Sequence, residues 1–370
     1  DARVALNQPL LRGFGSDASE VQIRVATAQF GQALVDQKLQ VINTLAAVDQ
    51  AYWLLSATRA AVNVRVQQVK LADDQLQRAQ RMLRAGEMPE TEVVRAESGK
   101  ADAEELLLQT RNLARERERA LKVLVNAPGL EVGGASRIDP TTQALPLRYA
   151  TDADELTALA MGSRMELLEA DLRIAEQHAL LLAARREALP QLDFRYQYNI
   201  NGLGPDFDDS VEVASNFNFQ DHTFGLTASY PLGNRERRAR LRAANLRKMR
   251  ELATLESRQL QITQEVHDAV DALETAWQAI LANRRRVDLA TRLLEAETRQ
   301  FEQGLRTSTE VLEAQSNLAA AELSLIEALA DYEVGRTNLA TATGTVLGKA
   351  GVQLNVPDDL PGDRAVSQAQ

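Results

Sequence analysis

Residues 266–301 read VHDAVDALETAWQAILANRRRVDLATRLLEAETRQF, with Val266, Leu273, Ile280, Val287, Leu294 and Phe301 at seven-residue steps. A strict seven-residue apolar repeat on a helix demands partner helices and a left-handed supercoil. Shifted by 218 positions, the stripe falls on Val48, Leu55, Val62, Val69, Leu76 and Leu83, and it continues upstream through Val41 and Leu34. The copied repeat predicts a fold built twice. Taken alone, such a stripe also fits an ordinary coiled coil or bundle.

Working outward, the second-half helix spans about 234–303 and stops at Gly304. A shorter helix over 307–343 follows, with Val311, Leu318, Leu325, Tyr332 and Leu339 again seven apart. The first half has the same order: a helix over about 17–85, a stop at Gly86-Glu87-Met88-Pro89, and a helix over 90–125. Glycine ends a helix in the left-handed conformation, and proline suits the start of the next. At about 1.5 Å per residue, each long helix measures on the order of 100 Å. Rods of that length imply that something is spanned. Pro128, Gly129, Gly133, Gly134, Pro140 and Pro146 mark 126–150 as an irregular connector, and a helix over 152–188 ends at Pro190. The tail 344–370, rich in Gly, Pro and Asp, reads as loosely structured.

Between the helical blocks the period changes to two. Leu192, Phe194, Tyr196, Tyr198 and Ile200 alternate with Asp193, Arg195, Gln197, Asn199 and Asn201, and Phe224, Leu226, Ala228 and Tyr230 alternate with Thr223, Gly225, Thr227 and Ser229. These predict strands over 192–200 and 222–230, each with one apolar and one polar face. Their length, about 9 residues, suits a tilted membrane-crossing strand. The segment between them, 201–221, carries Asp206, Asp208, Asp209 and Glu212 and reads as a solvent-exposed loop. A further strand is expected near Arg3–Leu10, because Gln8-Pro9-Leu10 returns as Tyr230-Pro231-Leu232 ahead of each long helix. The helix over 152–188 and the strand after it have no first-copy counterpart. The repeat therefore predicts about 70 residues upstream, holding a helix, a strand and a loop. The expected organisation is a first repeat over 1–125, an equatorial connector over 126–150, a second repeat over 151–343 and a tail over 344–370.

Composition narrows the function. Aromatics are 4% of 370 residues, net charge is -10, and no basic cluster is backed by stacking aromatics, so nucleic acid is not an expected partner. There is no cysteine, which removes disulfides and thiolate metal sites. No apolar run approaches the roughly 20 residues of a membrane-spanning helix. His178, His222 and His267 are scattered without ligand spacing, so no cofactor, metal or catalytic constellation is expected.

Strands with an apolar face cannot lie in lipid as an open sheet, because the edges leave backbone groups unsatisfied; closure into a barrel removes the edges. The smallest such barrels use about eight strands, so several chains must contribute. A trimer with four strands per chain gives 12 strands and a water-lined lumen. The fold class is then mainly α with a membrane β-barrel portion. A soluble half-buried hairpin on a coiled-coil scaffold carries the same alternation.

Past the Gly304 turn, Glu310 and Glu313 lie three apart on one helix face. In a three-fold assembly each becomes a ring of carboxylates, which selects cations at a constriction; a solvated helix face is the other reading.

The chain resembles the TolC-like outer-membrane efflux protein family. The matching stretches are Gln8-Pro9-Leu10-Leu11-Arg12-Gly13-Phe14-Gly15, Leu189-Pro190-Gln191-Leu192, Ser229-Tyr230-Pro231-Leu232-Gly233 and the tip motif running from Gly304-Leu305-Arg306-Thr307-Ser308 to Gln315, with a weaker copy over 86–97. The resemblance implies a homotrimer with a 12-stranded outer-membrane barrel continued by a periplasmic α-helical barrel, in the outer membrane of a Gram-negative bacterium. It implies an exit duct for tripartite efflux or for type I secretion, with outer-membrane lipid, a periplasmic adaptor and an inner-membrane transporter as partners. Family members carry acidic entrance rings at positions matching Glu310 and Glu313. The resemblance also implies an entrance latch at Phe301, Arg306, Thr91 and Glu92, with Arg306–Glu92 as an ion pair. Phe301 stands where the family can use tyrosine, so that phenolic hydrogen bond is not expected. The turns at Gly86, Glu87 and Met88 and at Gly304 and Leu305 are where the family meets its adaptor.

Overall fold

The structure, a computed structural model, describes residues 2–15, 19–148, 152–202, 204–216 and 219–352. In chain order the elements are β1 (Ala2–Pro9), α1 (Val21–Arg84), α2 (Glu90–Val125), α3 (Ala153–Ser163), α4 (Met165–Glu187), β2 (Gln191–Ile200), α5 (Phe207–Ser215), β3 (Gln220–Ser229), α6 (Arg235–Glu302), α7 (Ser308–Ala342) and α8 (Val346–Ala350). They fall into two compact units. One gathers the described residues of 2–38 and 165–260, the other those of 39–164 and 261–352. The long helices α1 and α6 contribute to both.

In the first unit, β1, β2 and β3 form an antiparallel sheet with β2 central. Opposed residues share a face. The pairings Val4↔Tyr198, Leu6↔Tyr196, Tyr196↔Phe224 and Phe194↔Leu226 build one apolar face, whereas Arg3↔Asn199, Asn7↔Arg195, Gln197↔Thr223 and Asp193↔Thr227 build the polar one. Tyr196 packs on Phe224 with ring centroids 5.1 Å apart, and its hydroxyl lies 2.9 Å from His222 Nδ1. Among the described residues nothing covers this apolar face: Val4, Phe224 and Leu226 are each about two-thirds exposed.

In the second unit the helices pack along seams richer in alanine than the heptad stripes suggest. In α6 the stripe itself is the core, with Val266, Leu273, Ile280 and Phe301 buried. Leu273 and Ile280 pack with Ala328 and Tyr332 of α7, and Trp277 and Leu325 flank them. In α1, Leu55 is buried but most of the stripe is half-buried, and Gln68, Ala72, Gln75 and Ala79 go deeper. Small residues let helix backbones approach closely. At Gly99 of α2 an added Cβ would meet Leu312 of α7 at 2.8 Å.

Both tip turns close in the same way. Gly86 N–H donates to Leu83 O and Glu87 N–H to Met82 O; Gly304 N–H donates to Phe301 O and Leu305 N–H to Gln300 O. Both glycines have positive φ, +79° and +71°, and the bond pattern is a Schellman motif.

Three expectations are corrected. The helix over 152–188 is broken at Arg164, whose backbone is extended and whose guanidinium donates to Thr341 O and Ala342 O at the end of α7 and to Glu265 of α6. A tertiary contact overrides helical continuity there. The 201–221 segment is not loop throughout: α5 forms within it, with Asp208 and Asp209 in the first turn favouring the positive end of the helix. It lies so close to Gly202 that a Cβ there would stand 2.0 Å from Ser210 O. The tail begins with an ordered piece, α8, whose Lys349 Nζ lies 2.7 Å from Asp49 and from Thr337; residues 353–370 lie outside the described residues.

Candidate functional site

The tip of the second unit brings together most of the residues that the sequence singles out. Arg306, just past the Gly304 turn, donates from Nη1 to Glu310 at 2.5 Å and from Nε to Gln300 at 2.9 Å, with Glu297 at 3.2 Å. Glu310 also accepts from Thr307 N–H at 2.7 Å and from the Thr307 hydroxyl at 3.1 Å. It is a helix-capping carboxylate as well as a candidate gate charge. The Thr307 backbone N–H, followed by the Arg306 hydrogen bond, holds the Glu310 carboxyl below the usual glutamate range. The Glu310 hydrogen bond, then the Glu297 charge, pushes the Arg306 guanidinium up. Glu313, one turn further along, is exposed and makes no such contacts among the described residues.

Glu92 behaves differently from its counterpart. The 218-residue shift places Glu92 on Glu310, Arg95 on Glu313 and Pro89 on Thr307. Proline has neither the N–H nor the hydroxyl that Thr307 offers. Glu92 instead crosses to the other hairpin, accepting from Ser308 N–H at 2.9 Å at the start of α7, and pairs with Arg95. Glu92 and Ser308 are buried, and Gln75 Nε2 approaches the Ser308 hydroxyl at 3.5 Å.

Within the chain, then, Arg306 and Glu92 have separate partners. Thr91 is exposed and Phe301 is fully buried as the last residue of its stripe. Of the docking tips, Gly86, Glu87 and Gly304 are exposed, Met88 is half-buried and Leu305 is 71% exposed. Sequence reading missed Ser308, Gln75, Glu297 and Gln300. The sequence did hold one signal, the proline at the position where the second copy has its capping threonine.

The connector is held just as specifically. Glu118, buried in α2, pairs with Arg59 at 2.6 Å and Lys122 at 3.4 Å and accepts from Ile138 N–H. Tyr332 donates to Leu147 O, and Arg148 pairs with Glu274.

Residues 156–345 match the family described as "Outer membrane efflux protein". The outer membrane efflux protein BepC of Brucella suis biovar 1 (strain 1330) is 24% identical over 346 residues, which is 92% of this chain and 71% of that protein. Among solved structures, the outer membrane protein VceC of Vibrio cholerae superposes with a TM-score of 0.76 at 18% identity, over 92% of this chain and 79% of that one. The Campylobacter jejuni CmeC outer membrane channel superposes with a TM-score of 0.75 at 14% identity, over 92% of this chain and 70% of that one.

Proposed function

Because the chain belongs to the outer membrane efflux protein family, and so is an outer-membrane export channel, we propose that it works as the exit duct of a tripartite pump for small molecules. Three copies close a 12-stranded barrel, and a periplasmic adaptor and an inner-membrane transporter complete the assembly. The observation that carries this reading is the sheet. One face is apolar and uncovered among the described residues, the other is polar, and β1 and β3 are each followed along the chain by a long helix, of 64 and 68 residues. Hydrocarbon suits the first face and a water-filled lumen the second.

Strand parity supports four strands per chain. In an antiparallel sheet of three, β1 and β3 run in the same direction. Copies joined in a ring would meet parallel at every seam. A fourth strand along the free edge of β1 makes every seam antiparallel and gives 12.

At the entrance, Glu313 is the stronger gate charge, since Arg306 already balances Glu310. A latch between neighbouring chains draws on the exposed Arg306 and Thr91, since Glu92 is engaged by Ser308 and Phe301 is fully buried within its own chain. The exposed Leu305 and the turn at Gly86, Glu87, Met88 and Gly304 face the adaptor. The test is outer-membrane fractionation and cross-linking of the full-length protein, followed by conductance in planar bilayers. A monomer dispersed in detergent-free buffer without conductance would overturn the proposal.

A further inference from the structure

Where the strands give way to helices, the first unit holds a cavity of about 540 Å³ lined by Arg12, Arg186, Arg237 and Arg240. Among the described residues around it, Glu187 is the one acid and Gln191 the one amide. Arg12 donates to Gln191, and Arg240 pairs with Glu236 outside the cavity. Arg237 is different: its Nη1 is buried and has no acceptor among the described residues. Buried donors in native proteins are almost always paired.

The helix geometry points the same way. Arg237 and Arg240 stand in the first two turns of α6, at the positive end of a 68-residue helix. Cations are disfavoured at that end and anions favoured. Leu10, Leu11, Phe14, Tyr230 and Leu232 stand in the turns that join β1 and β3 to the long helices, and all are exposed. Apolar and aromatic side chains next to arginines are what a membrane–water interface selects.

We propose that this cavity binds the phosphodiester headgroup of an anionic phospholipid at the periplasmic edge of the barrel. The proposal rests on the barrel reading for its position in the membrane, but not for its charge. Arg237 and Arg12 supply planar, multiply donating guanidinium groups suited to phosphate oxygens, and the anion satisfies the orphaned Arg237 donor. Free phosphate has the same chemistry but would not need the neighbouring apolar turns.

The test uses the full-length protein from the outer-membrane fraction, stripped of lipid in neutral detergent. It is titrated with phosphatidylglycerol, phosphatidylcholine and inorganic phosphate, and adducts are counted by native mass spectrometry. Phosphatidylglycerol should be held about tenfold more tightly than phosphatidylcholine, and Arg237→Gln should remove most of that preference. Arg237→Lys, which keeps the charge, should retain part of it, and Arg292→Gln, elsewhere on α6, should change nothing. Equal retention of the two lipids, or an unchanged preference in Arg237→Gln and in Arg12→Gln, overturns the site. Displacement of the lipid by millimolar phosphate makes it a free-anion site and overturns the lipid assignment. Absence from the outer-membrane fraction, which is read before any lipid is added, counts against the barrel reading instead.

Discussion

Replacing Glu92 by alanine tests the cross-hairpin cap directly. The Glu92 side chain is about one-tenth exposed and accepts from the N–H of Ser308, whose own side chain is fully buried. Without the carboxylate that N–H has no acceptor and little access to water. A buried donor stranded in this way costs about 1–3 kcal/mol. The helix-dipole contribution is part of the same contact and is not added. Arg95, more than half exposed, returns to solvent at little cost. Since about 1.4 kcal/mol is a factor of ten, amide exchange at Ser308 should speed up roughly five- to 150-fold. Hydrogen exchange of the assembled protein reads this residue by residue. Glu92→Gln, which keeps a neutral acceptor, should fall between wild type and alanine, and Thr91→Ala should have no effect. If exchange at Ser308 in Glu92→Ala stays within about twofold of wild type, the cap does not hold α7 and the reasoning fails.

Three further outcomes are expected. In bilayers, Glu313→Gln should lower the cation-to-anion permeability ratio about two- to fivefold and Glu310→Gln less than about twofold, because Arg306 already balances Glu310; reversal potentials in a salt gradient decide it. Two of the perturbed carboxyls, Glu310 and Glu322, respond to pH in opposite senses. The folded pKa of Glu310 is depressed, so its contribution is present above the ordinary glutamate range and lost as pH falls through the depressed value. Burial raises Glu322, whose contribution is complete below that range and lost as pH rises through the raised value; stability against pH for Glu310→Gln and Glu322→Gln should each lack the matching slope. Arg164→Met should cost about 1–3 kcal/mol in urea unfolding followed by circular dichroism, because it removes the guanidinium donors to Ala342 O, Thr341 O and Glu265 and leaves Thr341 O with the Gly344 N–H alone.

Local punctuation explains what could be read from the sequence. α2 begins at Glu90 and ends at Val125 as expected, because proline precedes it and Asn126, in the left-handed conformation, follows it. The tip turns were legible from glycine alone. The sheet register follows from alternation, since a one-residue slip would turn Tyr196 and Phe194 to the polar side. The break at Arg164 was not legible: Met165 onward is a good helix former, and only the end of α7 explains the interruption. Nor was α5, whose seat depends on Gly202 meeting Ser210 across the loop. At the tip, residue types identified the charged groups but not their partners. Partner choice depends on which hairpin lies within reach, a three-dimensional fact.

The proline at position 89 gives the tip a direction. Glu310 closes its own hairpin, so injury there stays local. Glu92 serves the opposite arm, so injury to the first arm is felt at residue 308 of the second. Once a segment is doubled, its descendants can divide labour in this way, one self-sufficient and the other bracing its sibling. Proline in one copy where the other has threonine is enough to separate the two roles.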